Sequence, residues 1–493
     1  MTESVTALMC VPVMSLLPVP LQAIMRSAST VGANVFDELV ALRRVDLYAE
    51  VDNFPNECED GGTTSTTSHL WKTINAPLST QVSNVDSTVD ALACISSRKY
   101  VSRFRKISFQ YLQHHHDDAH TSNHAMFLNG SFAEGNAHLE SIIINCDWGQ
   151  AGRMYQRRPM VDKFIYGCPK LHTVVIEDEI NGFRSIGTNF LALCPLLSNV
   201  NLDGLSHITR IESDFMLNCV NIQELDITVL MRRVTSIHAR FMRGCLKLRK
   251  LKMGADNNND DGVTNRATTT TSTTQYEKKG ACLEDIGDDF LGGCTNLSTL
   301  TLPPMTNVTM IGNYYLRNCS SLTEMNIIGK DESGDGLKCL LHIGFGFMVG
   351  CSNLKRLTLR GLTSITGIPS AFMQGCSRLQ HLHLGGLENT RVVCDHFLAG
   401  CSSLSHFDFE ILRAVKRIGP HFMDGCNELA PSTSALTTVD LTPLNRASEV
   451  GTGFLGGWLE GDKYDAVMGG GGVLSHVLID ALIESKSNVH NTF

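Results

Sequence analysis

From residue 164 onward the apolar positions of this chain recur in one order. An aromatic residue is followed by Leu, Met or Ile, then four residues after the aromatic by Cys, then three residues later by Leu-x-x-Leu-x-Leu. The aromatics are Phe164, Phe190, Phe215, Phe241, Phe290, Tyr315, Phe347, Phe372, Phe397 and Phe422, with Phe454 opening a last partial unit. Most steps are 25 or 26 residues. A typical unit runs Phe347-Met-Val-Gly-Cys351-Ser-Asn-Leu354-Lys-Arg-Leu357-Thr-Leu359. The alternation at Leu357-x-Leu359 predicts a strand with one apolar face. A second apolar pair (Ile208/Ile211, Val234/Ile237, Val308/Ile311, Ile365/Ile368, Val415/Ile418) predicts a second short extended segment on the opposite side of each coil. The Phe-Met-x-Gly-Cys stretch is expected to form one helical or 3₁₀ turn. No unit can bury its own apolar set alone, so the period predicts coils stacked as a solenoid, each Leu on the Leu above and below.

Cys168, Cys194, Cys219, Cys245, Cys294, Cys319, Cys351, Cys376, Cys401 and Cys426 share one slot. Thiols at one-coil spacing lack the Cys-x-x-Cys pairing of a zinc site. They read as small buried hydrophobes at a tight corner, packing on one another and donating weakly. Trp458 replaces the Cys in the last unit, which suggests a cap.

The pattern Val-Thr-x-Ile-(Gly)-x-x-Phe-(Leu/Met)-x-Gly-Cys-x-x-Leu-x-x-Leu-x-Leu resembles the BspA-like, or Treponema-type, leucine-rich repeat. Val308-Thr-Met-Ile311-Gly312 through Leu322 and Ile365-Thr-Gly-Ile368 through Leu379 match it well. The resemblance covers 161–458 well and 31–160 poorly. Two features depart from it: the Ala usual before Phe is mostly absent, and the Pro usual after the strand appears only at Pro303 and Pro443. It implies an α/β repeat: a leucine-rich-repeat solenoid, curved or extended, with a parallel β-sheet on the concave face and short strands and helical turns elsewhere. Its members include bacterial surface adhesins and large protist families, so it implies fold far more sharply than function.

Along the chain we expect an irregular lead over 1–30, degenerate repeats acting as an N-terminal cap over 31–160, regular repeats over 161–458, and a C-terminal cap over 459–493. Leu42-Arg-Arg-Val45-Asp-Leu47, Phe104-Arg-Lys-Ile107-Ser-Phe109 and Leu139-Glu-Ser-Ile142-Ile-Ile144 carry the strand pattern into the degenerate part. The polar, low-complexity insertion 254–281 is expected to be disordered. Shorter insertions lie around 329–338 and 430–435. Insertions at matching points map to one rim of a solenoid, either as surface drift or as a binding rim. After Gly469-Gly-Gly-Gly472, the apolar stretch from Val473 to Ile483 reads as a closing helix, or as one last strand followed by a helix.

Net charge is −9 with no Lys/Arg block, which disfavours non-specific nucleic-acid binding. Buried unpaired cysteines favour a reducing compartment. Residues 5–25 are apolar but lack a basic start and are broken by Pro12, Pro18 and Pro20, a poor signal peptide. No run is long and clean enough to span a membrane. Four Asn-x-Ser/Thr sequons occur, at Asn129, Asn296, Asn307 and Asn318; a glycan on Asn318 would hinder stacking at Cys319.

Outward strand positions form ladders from coil to coil. The candidate binding face comprises Glu224, Asp226, Lys250, Lys252, Glu324, Asn326, Arg356, Thr358, His381, His383, His406 and Asp408. Glu224/Lys250, Asp226/Lys252 and Glu324/Arg356 place unlike charges on neighbouring coils, with register as their simplest role. His381, His383, His406 and Asp408 bring three imidazoles and a carboxylate to adjoining coils, a set chemically suited to zinc; a solvated ladder is the preferred reading. The tract His114-His115-His116-Asp117-Asp118 with His120 and His124 reads as a loop. Gly-x-Ser-x-Gly, Walker A, His-Glu-x-x-His and Cys-x-x-Cys pairs are missing.

These readings lead to the expectation of a non-enzymatic, cytoplasmic, monomeric scaffold without cofactor or metal, binding a protein partner of unknown identity and neither nucleic acid nor membrane. A cell-surface or secreted adhesin is the alternative. A ubiquitin-ligase substrate adaptor is a third, because Leu17-Pro-Val-Pro-Leu21-Gln-Ala-Ile24 resembles the opening of an F-box.

Overall fold

The computed structural model describes residues 47–52, 106–112, 133–137, 139–145, 158–159, 162–177, 183–254, 283–327, 336–429, 440–457 and 475–490. The N-terminal lead with its F-box-like segment, the histidine tract, most of the three insertions, Trp458 and the glycine run lie outside them. The chain divides into two compact units, Met1–Ile222 and Gln223–Phe493.

In the first unit the strands Leu47–Asp52, Lys106–Leu112, Ser141–Asn145, Thr173–Ile176 and Asn199–Asn201 pair in that order, all parallel. A second ladder joins Arg158–Pro159, Phe183–Ile186 and Arg210–Ile211. The earliest strand lies beyond the expected Leu42–Leu47 pattern. Its register sets Leu47, Ala49 and Val51 opposite Ile107, Phe109 and Tyr111, so the alternation that continues past Leu47 decides the pairing.

The second unit repeats the arrangement. Its first strands are Glu224–Asp226, Lys250–Lys252 and Thr299–Thr301, then Glu324–Ile327, Arg356–Leu359 and His381–Leu384. Its second strands are two-residue pieces, among them Met310–Ile311, His342–Ile343 and Arg417–Ile418. The inward Leu and Ile of both ladders are buried, except Leu300 and Leu382, which are half-buried. The helix His476–His490 closes this unit. Ser475 caps it by accepting from the Leu478 N–H, and Leu478 and Leu482 are fully buried.

Between the second strand and the Cys the chain departs from expectation. No helical turn forms there. The residue before each aromatic, the one after it and the one before each Cys all have positive φ, as at Ala371 (57°), Met373 (56°) and Gly375 (77°). Alternating φ sign turns successive N–H groups toward opposite neighbours. Met373 donates to the Phe347 carbonyl of the preceding coil, while Ala371 and Gly375 donate to Asp395 and Ala399 of the next. A helical turn would have satisfied these groups within the coil and left the stack unlinked. Each non-glycine residue held left-handed costs about 1–2 kcal/mol, and the bonds and burial at the corner offset that cost. The conformation also explains Gly before Cys, replaced at this slot by Asn218, Asn318 and Leu193. Among the described residues 3₁₀ turns follow first strands at Asp203–Leu205 and Leu230–Arg232, and occur also at Phe409–Leu412 and Thr442–Arg446.

Two side-chain columns run through this corner. In the second unit Phe241, Phe290, Tyr315, Phe347, Phe372, Phe397, Phe422 and Phe454 stack with ring centroids 5.1–5.8 Å apart. Phe164, Phe190 and Phe215 do the same in the first. Beside them Cys thiols donate to carbonyls one coil earlier, among them Cys194 to Ile165 at 3.2 Å, Cys319 to Leu291 at 3.3 Å and Cys401 to Met373 at 3.3 Å. The acceptor is always the residue after the aromatic. The Cys slot therefore packs and donates, as its spacing suggests, and burial pushes the thiols of Cys219, Cys319, Cys401 and Cys426 up.

Candidate functional site

The interior columns and much of the backbone serve stacking, and the outward rows of the first strands carry the expected face residues. Register brings Glu224 beside Lys250, Asp226 beside Lys252, Glu324 beside Arg356, Asn326 beside Thr358, and then Arg356 beside His381 and Thr358 beside His383. Lys252 and Thr358 are half-buried and the others exposed. Glu324 and Arg356 approach to 3.8 Å with side chains 53% and 61% exposed, a loose pair contributing about 0–1 kcal/mol.

Two of the expected face residues serve local geometry. Asp226 accepts from the Thr228 N–H at 2.9 Å and Asp408 from the Glu410 N–H at 3.0 Å. Asn201 and Asp440 do the same for Asp203 and Thr442. A short side-chain oxygen bonding the N–H two residues on steers the chain out of the strand into the 3₁₀ turn.

The histidine cluster is not assembled as the sequence suggests. His381 and His383 sit on a paired strand, but residues 405–408 form none. His406 is exposed outside the ladder. Among the described residues no group of three or more His, Cys, Asp or Glu is arranged to hold a metal.

Two arrangements escaped sequence reasoning. Asp289 lies between Arg243 at 3.2 Å and Arg317 at 2.9 Å, tying three coils through one carboxylate; Arg317 also lies over the Tyr314 ring at 4.6 Å. Beside it Phe345 packs edge-on against Tyr314 at 4.5 Å and, with Leu341 and Met310, leaves apolar surface exposed. The signal was available: Leu341 and Phe345 stand where the preceding coil carries Thr309 and Asn313.

The model of the BspA type leucine rich repeat region matches residues 162–261, 265–338 and 284–430 in six copies, more than half of the chain. The chain belongs to the BspA-type leucine-rich-repeat family. Several solved structures resemble this BspA-type chain. A leucine-rich repeat protein from Bacteroides ovatus is 17% identical over 71% of this chain and 75% of its own, with a TM-score of 0.42. A leucine rich cell surface protein from Faecalibacterium prausnitzii is 19% identical over 69% and 86%, TM-score 0.28. The T. pallidum leucine rich repeat protein is 15% identical over 40% and 78%, TM-score 0.24. Among curated proteins none matches the chain. No helix among the described residues of this BspA-type protein is long and apolar enough to cross a membrane.

Proposed function

We propose that this chain is a non-enzymatic protein-interaction scaffold that binds a protein partner through the outward rows of its first strands. The observation that carries the reading is a division of labour. Inward slots repeat the same residue types coil after coil, whereas outward slots change from Glu224 to Lys250 and Thr299, and from Glu324 to Arg356 and His381, at fixed register. A constant interior beneath a variable, mostly polar exterior suits recognition of an extended protein surface. The face includes Glu224, Lys250, Lys252, Glu324, Asn326, Arg356, Thr358, His381 and His383, with Asp226 as a turn-forming edge. His406 and Asp408 stand at its far end.

Monomeric, cytoplasmic action belongs to the same proposal and is supported by the free, buried cysteines of the Cys slot. Membership of a family that includes surface adhesins supports a cell-surface protein as the second reading. Intact mass of protein from its natural source separates the two: a full-length chain with free thiols supports the cytoplasm, and a shortened or disulfide-bearing chain supports export.

Affinity capture from that source tests the face itself, comparing wild type with Thr299→Trp, Thr358→Trp and, on the second-strand side, Thr366→Trp. The reading requires a partner retained by wild type and Thr366→Trp but lost by the other two. Equal retention by all four would remove it.

A further inference from the structure

We infer that the first-strand face of the Gln223–Phe493 unit docks an extended acidic protein segment lying across the strands. This rests on the scaffold reading and names the partner's chemistry.

The chain as a whole is acidic, with 50 Asp and Glu against 41 Lys and Arg. Yet it holds no Asp or Glu from Ile227 through Gly254, nor from Gly336 through Leu387. Those two stretches supply coils of this face. The first presents Arg249 and Lys250, the second Lys355, Arg356 and Arg360, all exposed. Arg249 and Lys250 fall in the short basic run Lys247-Leu-Arg249-Lys250-Leu-Lys252, and stacking brings Lys355, Arg356 and Arg360 to the same face.

Of these, Lys250 faces Glu224 in register, whereas Arg249 and Lys355 stand beside the uncharged Gln223 and Thr323. Glu324 is the carboxylate between the two groups, and Arg356 holds it only loosely, at 3.8 Å. Thr299, Thr301 and Asn326 occupy the other outward positions between them. Arg249, Ser298, Thr323 and Lys355 fill the same slot on four successive coils, the outer steps linked by Ser298 N–H to Arg249 O at 3.0 Å and Lys355 N–H to Thr323 O at 2.7 Å. Thr299–Thr301 and Glu324–Ile327 belong to different sheets, so only the outer steps take the ~4.8 Å strand spacing. The middle one follows the coil stack, whose Phe290 and Tyr315 rings stand 5.2 Å apart, and the two cationic groups lie roughly 15 Å apart. A strand rises ~3.4 Å per residue, so carboxylates about four residues apart on an extended partner would reach both. The uncharged Thr and Asn positions between them offer hydrogen bonds to the partner's backbone.

A single-stranded nucleic acid also carries negative charge, but binding it draws on aromatic platforms for the bases. The outward positions of these strands carry no Phe, Tyr or Trp, and their two imidazoles, His381 and His383, lie at one end. An acidic protein segment needs only the cations.

Fluorescence anisotropy tests this with labelled peptides: one carrying Glu at every fourth residue in a Ser/Thr background, its Lys counterpart, and an oligothymidylate. The protein variants are Arg249→Glu with Lys250→Glu, Lys355→Glu with Arg356→Glu, and, on the second-strand ladder, Lys416→Glu with Arg417→Glu. Urea unfolding verifies that each variant is folded. The Glu peptide should bind wild type, lose about tenfold or more in affinity in each first-strand variant, keep it in the second-strand variant, and weaken with added salt. Equal affinity across all variants, or equal binding of the Lys peptide or the oligothymidylate, overturns the inference. If the Glu peptide fails while Thr299→Trp and Thr358→Trp still abolish partner capture, the acidic partner is wrong and the scaffold stands. If both fail, the scaffold reading falls as well.

Discussion

The thiol of Cys351 donates to the backbone carbonyl of Leu316, one coil earlier, at 3.1 Å. Leu316 has positive φ (54°), and that conformation leaves its carbonyl available to the thiol. The same relation recurs from Cys168 to Cys426, so one weak bond per coil locks a strained corner to its neighbour.

Replacing a central member of the column tests its weight. Cys376→Ala deletes a fully buried sulfur and the bond to Met348, and should cost about 1–3 kcal/mol, through a small cavity and the lost bond; the Met348 carbonyl keeps the Cys351 N–H at 3.4 Å. Cys376→Ser keeps the donor and should cost less than Ala. The urea midpoints of the three proteins compare them directly; an Ala variant as stable as wild type would show that the column is only filler.

The buried thiols also set a pH dependence. Burial pushes Cys426 up to about 12, whereas an unfolded thiol titrates near 8.5, by the reference value. The folded chain therefore holds protons that the unfolded chain releases, and stability is full below about pH 8.5 and falls as pH rises toward 12. At pH 8, among the cysteines of the described residues, iodoacetamide should modify half-buried Cys339 and Cys394 first and the column only on unfolding. Peptide mass mapping checks this.

Tyr315 interrupts the phenylalanine column. Its hydroxyl is buried without a hydrogen-bond partner, and an unsatisfied buried hydroxyl costs about 1–3 kcal/mol. Tyr315→Phe should raise stability by about 1 kcal/mol or more, measured as a higher urea midpoint. A lower midpoint would mean that the hydroxyl is satisfied.

Glycine before Cys is required by conformation at one coil and by both conformation and space at another. A Cβ at Gly375 would meet nothing nearer than 3.8 Å, but φ is +77°. Gly375→Ala should therefore cost about 1 kcal/mol, from backbone strain alone. A Cβ at Gly350 would run into Asn318 Oδ1 as well, so Gly350→Ala should be the more damaging. Paired thermal melts rank the two.

Much of this fold was legible because stacking repeats one inward pattern. The Leu-x-x-Leu-x-Leu alternation located the first strands, and fixed spacing put Glu324 opposite Arg356 and Thr358 opposite His383 before any coordinates. What failed was local backbone. Phe372-Met-Gln-Gly-Cys376 has the composition of a helical turn, and only the need to bond coils above and below selects alternating φ sign. The site was legible by row rather than by role. The sequence placed Asp408 on the face, but its carboxylate accepts from the N–H two residues on and opens a 3₁₀ turn, and residues 405–408 form no strand to carry His406. Charge balance counted over the whole chain hid the cations that stacking gathers at Arg249 and Lys355.

The central claim is that a partner sits on the first strands. The most direct test places a photo-crosslinking amino acid at Thr299 on that face and, separately, at Met310 on the second-strand side, followed by irradiation in extract of the natural source and peptide mapping. The account predicts one discrete adduct from Thr299 and none from Met310. An adduct from Met310 with none from Thr299 would contradict it and move the binding surface to the apolar cluster of Leu341 and Phe345.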